Sequence, residues 1–103
     1  MKSSPKTVHT CEASLKLLAD FWNLRIIEAL SNGSLRYCEI QRAVGNVNPA
    51  TLTKKLLVLE NEGLLVRAED EAKGAVFYAL TVHGKDALPV LKAVQTFALK
   101  TKK

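Results

Sequence analysis

The chain has 103 residues, of which 48% are hydrophobic and 24% are charged, and these values are typical of one soluble globular domain. No apolar run approaches the roughly 20 residues that a membrane-spanning helix needs. The start of the chain, MKSSPKTVHTCEAS, lacks the apolar centre of a secretory signal. The sequence therefore predicts a single cytoplasmic domain over residues 1–103 that does not associate with membranes, with flexible tails at 1–9 and 100–103.

The net charge of +5 is carried by lysines near the two ends of the chain: Lys2, Lys6, Lys100, Lys102 and Lys103. The other ten basic residues and all ten acidic residues lie between positions 7 and 99, so this part of the chain is neutral. Within it, the segment 40–59 contains three basic residues and no acid, whereas the segment 60–71 contains five acids and one arginine. This separation predicts a local basic face rather than a generally basic protein.

Nothing in the sequence indicates an enzyme or a metal site. Cys11 and Cys38 form no CxxC pair and have no histidine at a ligand spacing, and His9 and His83 stand apart from each other. The HExxH, GxSxG, P-loop and GxGxxG motifs are absent. We therefore expect no catalytic residue, no metal and no cofactor.

The first third of the chain predicts two helices and a short strand. Thr10 is a suitable N-cap for the first helix, whose apolar positions follow helical spacing: Leu15, Leu18 and Trp22. The second helix, NLRIIEAL, is expected to turn Ile26, Ile27 and Leu30 inward and to end before Gly33. The stretch LRY at 35–37 predicts the strand.

Two further helices follow. The third, CEIQRAV, has an apolar stripe of Ile40, Ala43 and Val44 and stops at Gly45. Asn48 followed by Pro49 is the strongest helix start in the chain, because Asn caps well and Pro suits the first helical turn. The fourth helix ends near Gly63, and its core-facing positions are Leu52, Leu56 and Leu59.

The last third predicts a hairpin and one more helix. The runs LLVRAE and AVFYALT are separated by DEAKG, which contains Gly74 and favours a turn. The segment VHGKDALPVLKAVQTFALK returns to helical spacing, and Pro89 predicts either a kink or a late helix start. The large aromatic residues are expected to pack in the core: Trp22, Phe77, Tyr78 and Phe97.

This order predicts a mainly α fold with a small β hairpin, the winged helix-turn-helix: helix, helix, short strand, helix, recognition helix, two-stranded wing and C-terminal dimerisation helix. In that fold the third and fourth helices form the turn pair, and the fourth enters the major groove of double-stranded DNA. The candidate DNA-binding residues are Asn48, Ala50, Thr51, Thr53, Lys54 and Lys55 on the fourth helix, Arg36 before the third and Lys73 on the wing. For each lysine and arginine the alternative is an ordinary solvated side chain.

Four segments, in order and spacing, resemble the HxlR-type transcriptional regulators: CEASLKLLADFW, RYCEIQRAV, NPATLTKKLLVLENEGLLVR and FYALTVHGKDALPVL. The resemblance spans Cys11 to Phe97. It implies a homodimeric DNA-binding repressor or activator whose first and last helices form the dimer, which binds a pseudo-palindromic operator. It also implies a redox-sensing role for Cys11, against the alternative that Cys11 is a small packed hydrophobe. For Cys38 we expect packing, and a small-molecule effector stays unknown.

The chain departs from the family pattern at Cys38, where a capping residue is usual, at Leu57 and Val58, where polar residues are usual, and at the wing acids Glu69, Asp70 and Glu71. The wing acids weaken the expected attraction to phosphate. The two apolar residues on the fourth helix suggest a partner surface. The wing acids, this apolar pair and the neutral body of the chain support the alternative function, a winged-helix protein-interaction module that does not bind DNA specifically.

Overall fold

The computed structural model describes residues 11–72 and 74–101, without the side chains of Cys11 and Thr101. The helices are α1 (Cys11–Leu18), α2 (Phe21–Ala29), α3 (Tyr37–Ala43), α4 (Pro49–Asn61), α5 (Val82–Lys85) and α6 (Leu88–Thr101). The strands are β1 (Leu35–Arg36), β2 (Leu65–Asp70) and β3 (Ala75–Leu80). This order confirms the predicted winged helix-turn-helix fold. The predicted cap Thr10, the tail 1–9 and Lys73 lie outside the described residues.

The first predicted helix ends earlier than expected. It stops at Leu18, and α2 begins at Phe21 because the Asp20 carboxylate caps it, accepting the backbone N–H of Asn23 at 3.0 Å. Trp22 therefore belongs to α2 rather than to the first helix. Asn23 in turn donates from Nδ2 to the carbonyl oxygen of Leu17 at 2.9 Å, which ties the end of α1 to α2.

The third helix starts one residue before its predicted position. The backbone N–H of Arg36 donates to the Glu39 carboxylate at 2.8 Å, so Arg36 is the residue that precedes the helix. Cys38 lies inside the first turn, and its expected role as a poor capper is wrong. At α4 the predicted start is confirmed, since Asn48 Oδ1 accepts the backbone N–H of Ala50 at 2.8 Å.

The core lies between α2, α3, α4 and the sheet. The predicted inward residues of α4 are confirmed, since Leu52, Leu56 and Leu59 are at most 2% exposed. The other buried residues that the sequence predicted are Ile26, Ile27, Leu30, Ile40 and Val44. Three expectations are wrong in the isolated chain: Ala43 is exposed, and Leu15 and Phe97 are 63% and 66% exposed.

The predicted two-stranded wing is part of a three-stranded antiparallel sheet with the order β1-β3-β2. The hairpin pairs Leu65 with Leu80 at its base and Asp70 with Ala75 near its tip. The short strand β1 joins it through Leu35, which lies opposite Tyr78. Tyr78 and Trp22 pack against the core as predicted, although both stay partly exposed.

The predicted C-terminal helix is divided into α5 and α6. Thr81 caps α5: its Oγ1 accepts the backbone N–H of Gly84 at 3.0 Å and donates to the carbonyl of Gly63 at 2.6 Å. Pro89 is the second residue of α6, which confirms a late helix start rather than a kink. Because α6 continues to Thr101, Lys100 belongs to the helix and not to the predicted tail.

Candidate nucleic-acid interface

The turn between α3 and α4 sets the angle at which α4 leaves the body of the protein. Gly45 and Asn46 both have positive φ, at 99° and 58°, which Gly and Asn tolerate better than other residues. The side chain of Gln41 donates to the carbonyl oxygen of Val47 at 3.0 Å and closes the turn. The chain therefore reaches Asn48 in a defined direction.

The two helices are also joined through Tyr37. Its hydroxyl donates to the carbonyl oxygen of Pro49 at 3.0 Å and lies 3.2 Å from the hydroxyl of Thr53. Tyr37 thus holds the first turn of α4 from the start of α3. The sequence prediction missed Tyr37, because only its position in the fold, and no motif, connects it to α4.

The first turns of α4 present a polar face opposite the buried leucines. Ala50, Thr53 and Lys54 are exposed there, and Thr51 is partly buried. Lys54 forms no ion pair within the part of the chain that the structure describes. The structure therefore brings Ala50, Thr53 and Lys54 together with the cap residue Asn48 on one accessible surface.

Lys55 points elsewhere. Its Nζ donates to Asp20 Oδ2 at 2.6 Å, and the two side chains are 25% and 27% exposed. Burial raises the pKa of Asp20. The hydrogen bond and charge of Lys55, together with the backbone N–H groups of Asn23 and Trp22, lower it by more than burial raises it, so the pKa lies below its ordinary value. Lys55 therefore fastens α4 to the start of α2.

The remaining predicted contacts lie at the margins of this surface. Arg36 is exposed on β1, opposite Phe77. On the wing, Glu69 and Glu71 are exposed and Asp70 is partly buried, and Lys73 lies beyond the described residues. Arg42, near the end of α3, adds an exposed positive charge. The described wing is thus mainly acidic, as the sequence predicted, although it also carries the exposed Arg67 on β2, and the other basic side chains of this surface lie on α3, α4 and β1.

Several large apolar side chains are exposed, and most of them lie on α6 and α4. On α6, Val90, Val94 and Phe97 recur at helical spacing and are 41%, 48% and 66% exposed, and Leu15 and Phe21 are exposed on the first two helices. On α4, Leu57 and Val58 are 54% and 38% exposed. Exposed apolar surface of this kind marks a protein interface more often than a free face.

The expected packing of Cys38 is wrong, since this residue is exposed with a free thiol. Cys11 is the first residue of α1, and its side chain lies outside the described part. Across residues 11–72 and 74–101 no helix has the length and apolar character to cross a membrane. The same residues contain no cluster of three or more His, Cys, Asp or Glu side chains placed to hold a metal ion.

Comparison with known proteins shows which protein family the chain resembles. Residues 17–103 match the family described as HxlR-like helix-turn-helix. A helix-turn-helix-type transcriptional regulator of Methanothermobacter thermautotrophicus is 32% identical over 84 residues, which cover 81% of this chain and 64% of that relative. This chain thus spans slightly less than two thirds of that relative's length.

Solved structures share the fold over nearly the whole chain. A MarR-family transcriptional regulator from Porphyromonas gingivalis has a TM-score of 0.82 and 26% identity, covering 99% of this chain and 100% of its own. The transcriptional regulator YodB from B. subtilis is 27% identical. Its reduced form has a TM-score of 0.80 over 99% of this chain and 97% of its own. Its diamide-treated form has a TM-score of 0.74 over 100% and 99%.

The Asp20–Lys55 ion pair predicts a pH-dependent stability. Asp20→Asn keeps an N-cap, because Asn caps as well as Asp, and removes the charge. At pH 7 we expect the free energy of unfolding to fall by about 1 kcal/mol or less, since the pair is partly solvated. Because the folded pKa lies below the unfolded value of about 4, this contribution is present above pH 4 and disappears as the pH falls through the folded pKa.

Urea denaturation at pH 7, 5 and 3 measures the effect, with Lys55→Met and the double variant completing a thermodynamic cycle. The two single substitutions are expected to be non-additive at pH 7 and additive at the lowest pH at which the chain stays folded. Additivity at pH 7 would mean that the ion pair contributes nothing to stability.

Proposed function

The chain belongs to the HxlR-like helix-turn-helix family of transcriptional regulators, and on this premise we propose that it binds DNA as a homodimer through α4. The observation that carries the proposal is the polar face of α4, where Asn48, Ala50, Thr53 and Lys54 are accessible together. A helix enters the major groove with its N-terminal residues toward the bases, and these residues occupy that end of α4.

The roles of the individual residues follow from their positions. Lys54, which has no ion-pair partner among the described residues, is assigned to a phosphate or a guanine edge. Thr51 and Ala50 are assigned to the bases, and Thr53 is oriented by Tyr37. Lys55 is assigned to the Asp20 ion pair rather than to DNA, which revises the expectation drawn from the sequence.

Two basic residues outside α4 complete the proposed surface. Arg36 and Arg42 are exposed at the two ends of α3, and each is assigned to the phosphate backbone. The wing contributes little attraction, since three acids lie at positions 69–71. For Lys73, contact with a phosphate stays part of the proposal on the sequence alone. Affinity then comes mainly from the helix pair.

The homodimer is proposed from the apolar stripe of α6. Val90, Val94 and Phe97 would be covered by the same helix of a second copy, with Leu15 and Phe21 from the first two helices adding to the contact. A two-fold dimer places two recognition helices side by side. They would bind half-sites of a pseudo-palindrome about 34 Å apart, which is one turn of the duplex.

Redox control through Cys11 is proposed from its place at the start of α1. YodB, which is 27% identical to this chain, has been solved both reduced and after diamide treatment, and this supports an oxidation-sensitive regulator. A displacement of α1 would be transmitted to α4 through the start of α2. There Asn23 forms a hydrogen bond with the end of α1, and Asp20 forms the ion pair with Lys55 of α4.

A specific observation favours a second function, a protein-interaction module that does not bind DNA specifically. Leu57 and Val58 form an exposed apolar patch on α4, on the same helix as Lys54. The acidic wing beside this helix repels phosphate. A module of this kind would show no salt-dependent binding to a DNA duplex, so the same titration decides between the two functions.

The DNA assignment is tested with two adjacent lysines. Fluorescence anisotropy with a random-sequence duplex pool is measured over a salt series for wild type, Lys54→Ala and Lys55→Ala. We expect Lys54→Ala to reduce the slope of log affinity against log salt by about two for a dimer, one per lysine lost. We expect Lys55→Ala to leave the slope unchanged, because its ammonium group faces Asp20. Equal slopes for all three proteins would contradict the assignment.

The dimer is tested by sedimentation equilibrium of wild type, Phe97→Ser and Val82→Ser. Phe97 and Val82 are 66% and 79% exposed, but only Phe97 lies on the α6 stripe. Wild type and Val82→Ser are expected at twice the chain mass, and Phe97→Ser is expected to dissociate at concentrations at least tenfold higher. A monomeric wild type would contradict the proposed dimer. A Val82→Ser variant that dissociates as readily as Phe97→Ser would show that the dimer interface is not the α6 stripe.

The redox role is tested by treating wild type, Cys11→Ser and Cys38→Ser with diamide before the DNA titration. We expect diamide to change the affinity of wild type and Cys38→Ser severalfold and to leave Cys11→Ser unchanged, because the thiol of Cys11 is the proposed sensor. A response lost only in Cys38→Ser would assign sensing to the exposed thiol of Cys38. An unresponsive wild type would remove the redox proposal.

A further inference from the structure

Two hydroxyl groups meet at the accessible face of α4. Tyr37 is the first residue of α3, Thr53 lies one turn into α4, and their hydroxyl oxygens are 3.2 Å apart. The hydroxyl of Tyr37 also lies 3.0 Å from the carbonyl oxygen of Pro49. Thr53 is exposed on the same surface as Ala50 and Lys54. The direction of the hydrogen bond between the two hydroxyls therefore determines what Thr53 can offer to a DNA base.

The number of available protons fixes that direction. A tyrosine hydroxyl has one proton and a carbonyl oxygen only accepts, so Tyr37 donates its proton to Pro49. The oxygen of Tyr37 is then an acceptor toward Thr53. Two acceptors would repel each other at 3.2 Å, so Thr53 donates its single proton to Tyr37. Both hydroxyl protons are thus used inside the protein.

Because its proton is used, the hydroxyl oxygen of Thr53 can only accept a further hydrogen bond. A free threonine hydroxyl rotates and pairs with either a donor or an acceptor on a base edge. In the major groove, the amino groups of adenine and cytosine are donors, whereas the keto oxygens of guanine and thymine are acceptors. Thr53 can therefore pair with an amino base, and a keto base would place two acceptors face to face.

We propose that Tyr37 is a positioning residue for DNA specificity, which makes Thr53 select adenine or cytosine over guanine or thymine on the strand that it faces. Tyr37 acts through Thr53 rather than by contact with a base. The inference rests on the proposed function, since it requires α4 in the major groove. A keto base opposite Thr53 is expected to lower the affinity about tenfold, within the usual range for one mismatched base pair.

The hydroxyl pair is tested without DNA by a thermodynamic cycle in urea, with Tyr37→Phe, Thr53→Val and the double variant. Each substitution removes one hydroxyl and nearly keeps the shape of the side chain. We expect Thr53→Val to be more destabilising in wild type than in Tyr37→Phe, because in the variant its hydrogen-bond partner is already absent. Additive effects would mean that the two hydroxyls do not interact, and would overturn the inference whatever the chain does with DNA.

The selection of a base is tested by recovering duplexes from a random pool with wild type, Tyr37→Phe, Thr53→Val and Tyr78→Phe. In wild type we expect one position of each half-site to favour adenine or cytosine about tenfold on one strand. Tyr37→Phe and Thr53→Val are expected to lose this preference and to keep the other positions. Tyr78→Phe makes the same chemical change on β3 and is expected to select the wild-type sequence.

Other outcomes of the selection would overturn the inference. If Thr53→Val leaves the selected sequence unchanged, Thr53 contacts no base. If the position that it alters favours guanine or thymine in wild type, Thr53 donates there or its methyl group contacts thymine. If Tyr37→Phe keeps the preference, the hydroxyl of Tyr37 does not set it, and if it weakens every position alike, Tyr37 supports the whole helix rather than Thr53.

Failure of the proposed function gives a different result. A wild type that selects no sequence would overturn DNA binding through α4 and the selection of a base with it, whereas the urea cycle would still show the coupled hydroxyls. A wild type that selects a sequence but shows additive effects in urea would keep the proposed function and overturn only the role of Tyr37. The two failures are therefore distinguishable.

Discussion

Burial of Leu52, Leu56 and Leu59 determines how α4 lies on the protein, and the positions of its polar residues follow from it. Each leucine side chain contributes roughly 2 kcal/mol when fully buried, whereas the Lys55–Asp20 pair contributes at most about 1 kcal/mol. The buried leucines therefore hold α4 against α2 and β2, and the ion pair makes a smaller contribution to the same attachment. With the leucines inward, the helix period leaves Thr53 and Lys54 outward.

The two neighbouring lysines show how one helix can serve two purposes. Lys54 and Lys55 are separated by about 100° around the helix axis, so one faces solvent and the other faces the start of α2. Asp20 lies at the point where α1 ends and α2 begins, and it therefore connects the proposed DNA helix to the helix that starts with Cys11. The proposed thiol sensor and the proposed DNA contact would thus be joined through Asp20 and Lys55.

Much of the fold could be predicted from the sequence because its signals are local. Asn48-Pro49, the leucine spacing of α4 and the glycine of the hairpin each act within a few residues. The prediction extended the first helix to Trp22 and missed its end before Asp20, because apolar residues keep a helical spacing from Leu15 through Leu18 to Trp22. The partner of Lys55 could not be predicted, since Asp20 is 35 residues away in the chain. Phe97 was expected in the core because helical spacing alone does not distinguish a buried apolar residue from an exposed one.

The most direct measurement of the central claim is an NMR titration of the chain with a duplex recovered by selection from a random pool. The account predicts that the largest amide shifts fall at Ala50, Thr51, Thr53 and Lys54, with smaller shifts at the two ends of α3. Leu57 and Val58 should shift little, because they lie beyond the end of α4 that enters the groove of DNA. Selection that recovers no sequence, or shifts concentrated at Leu57 and Val58, would contradict the account and identify α4 as a protein-binding helix.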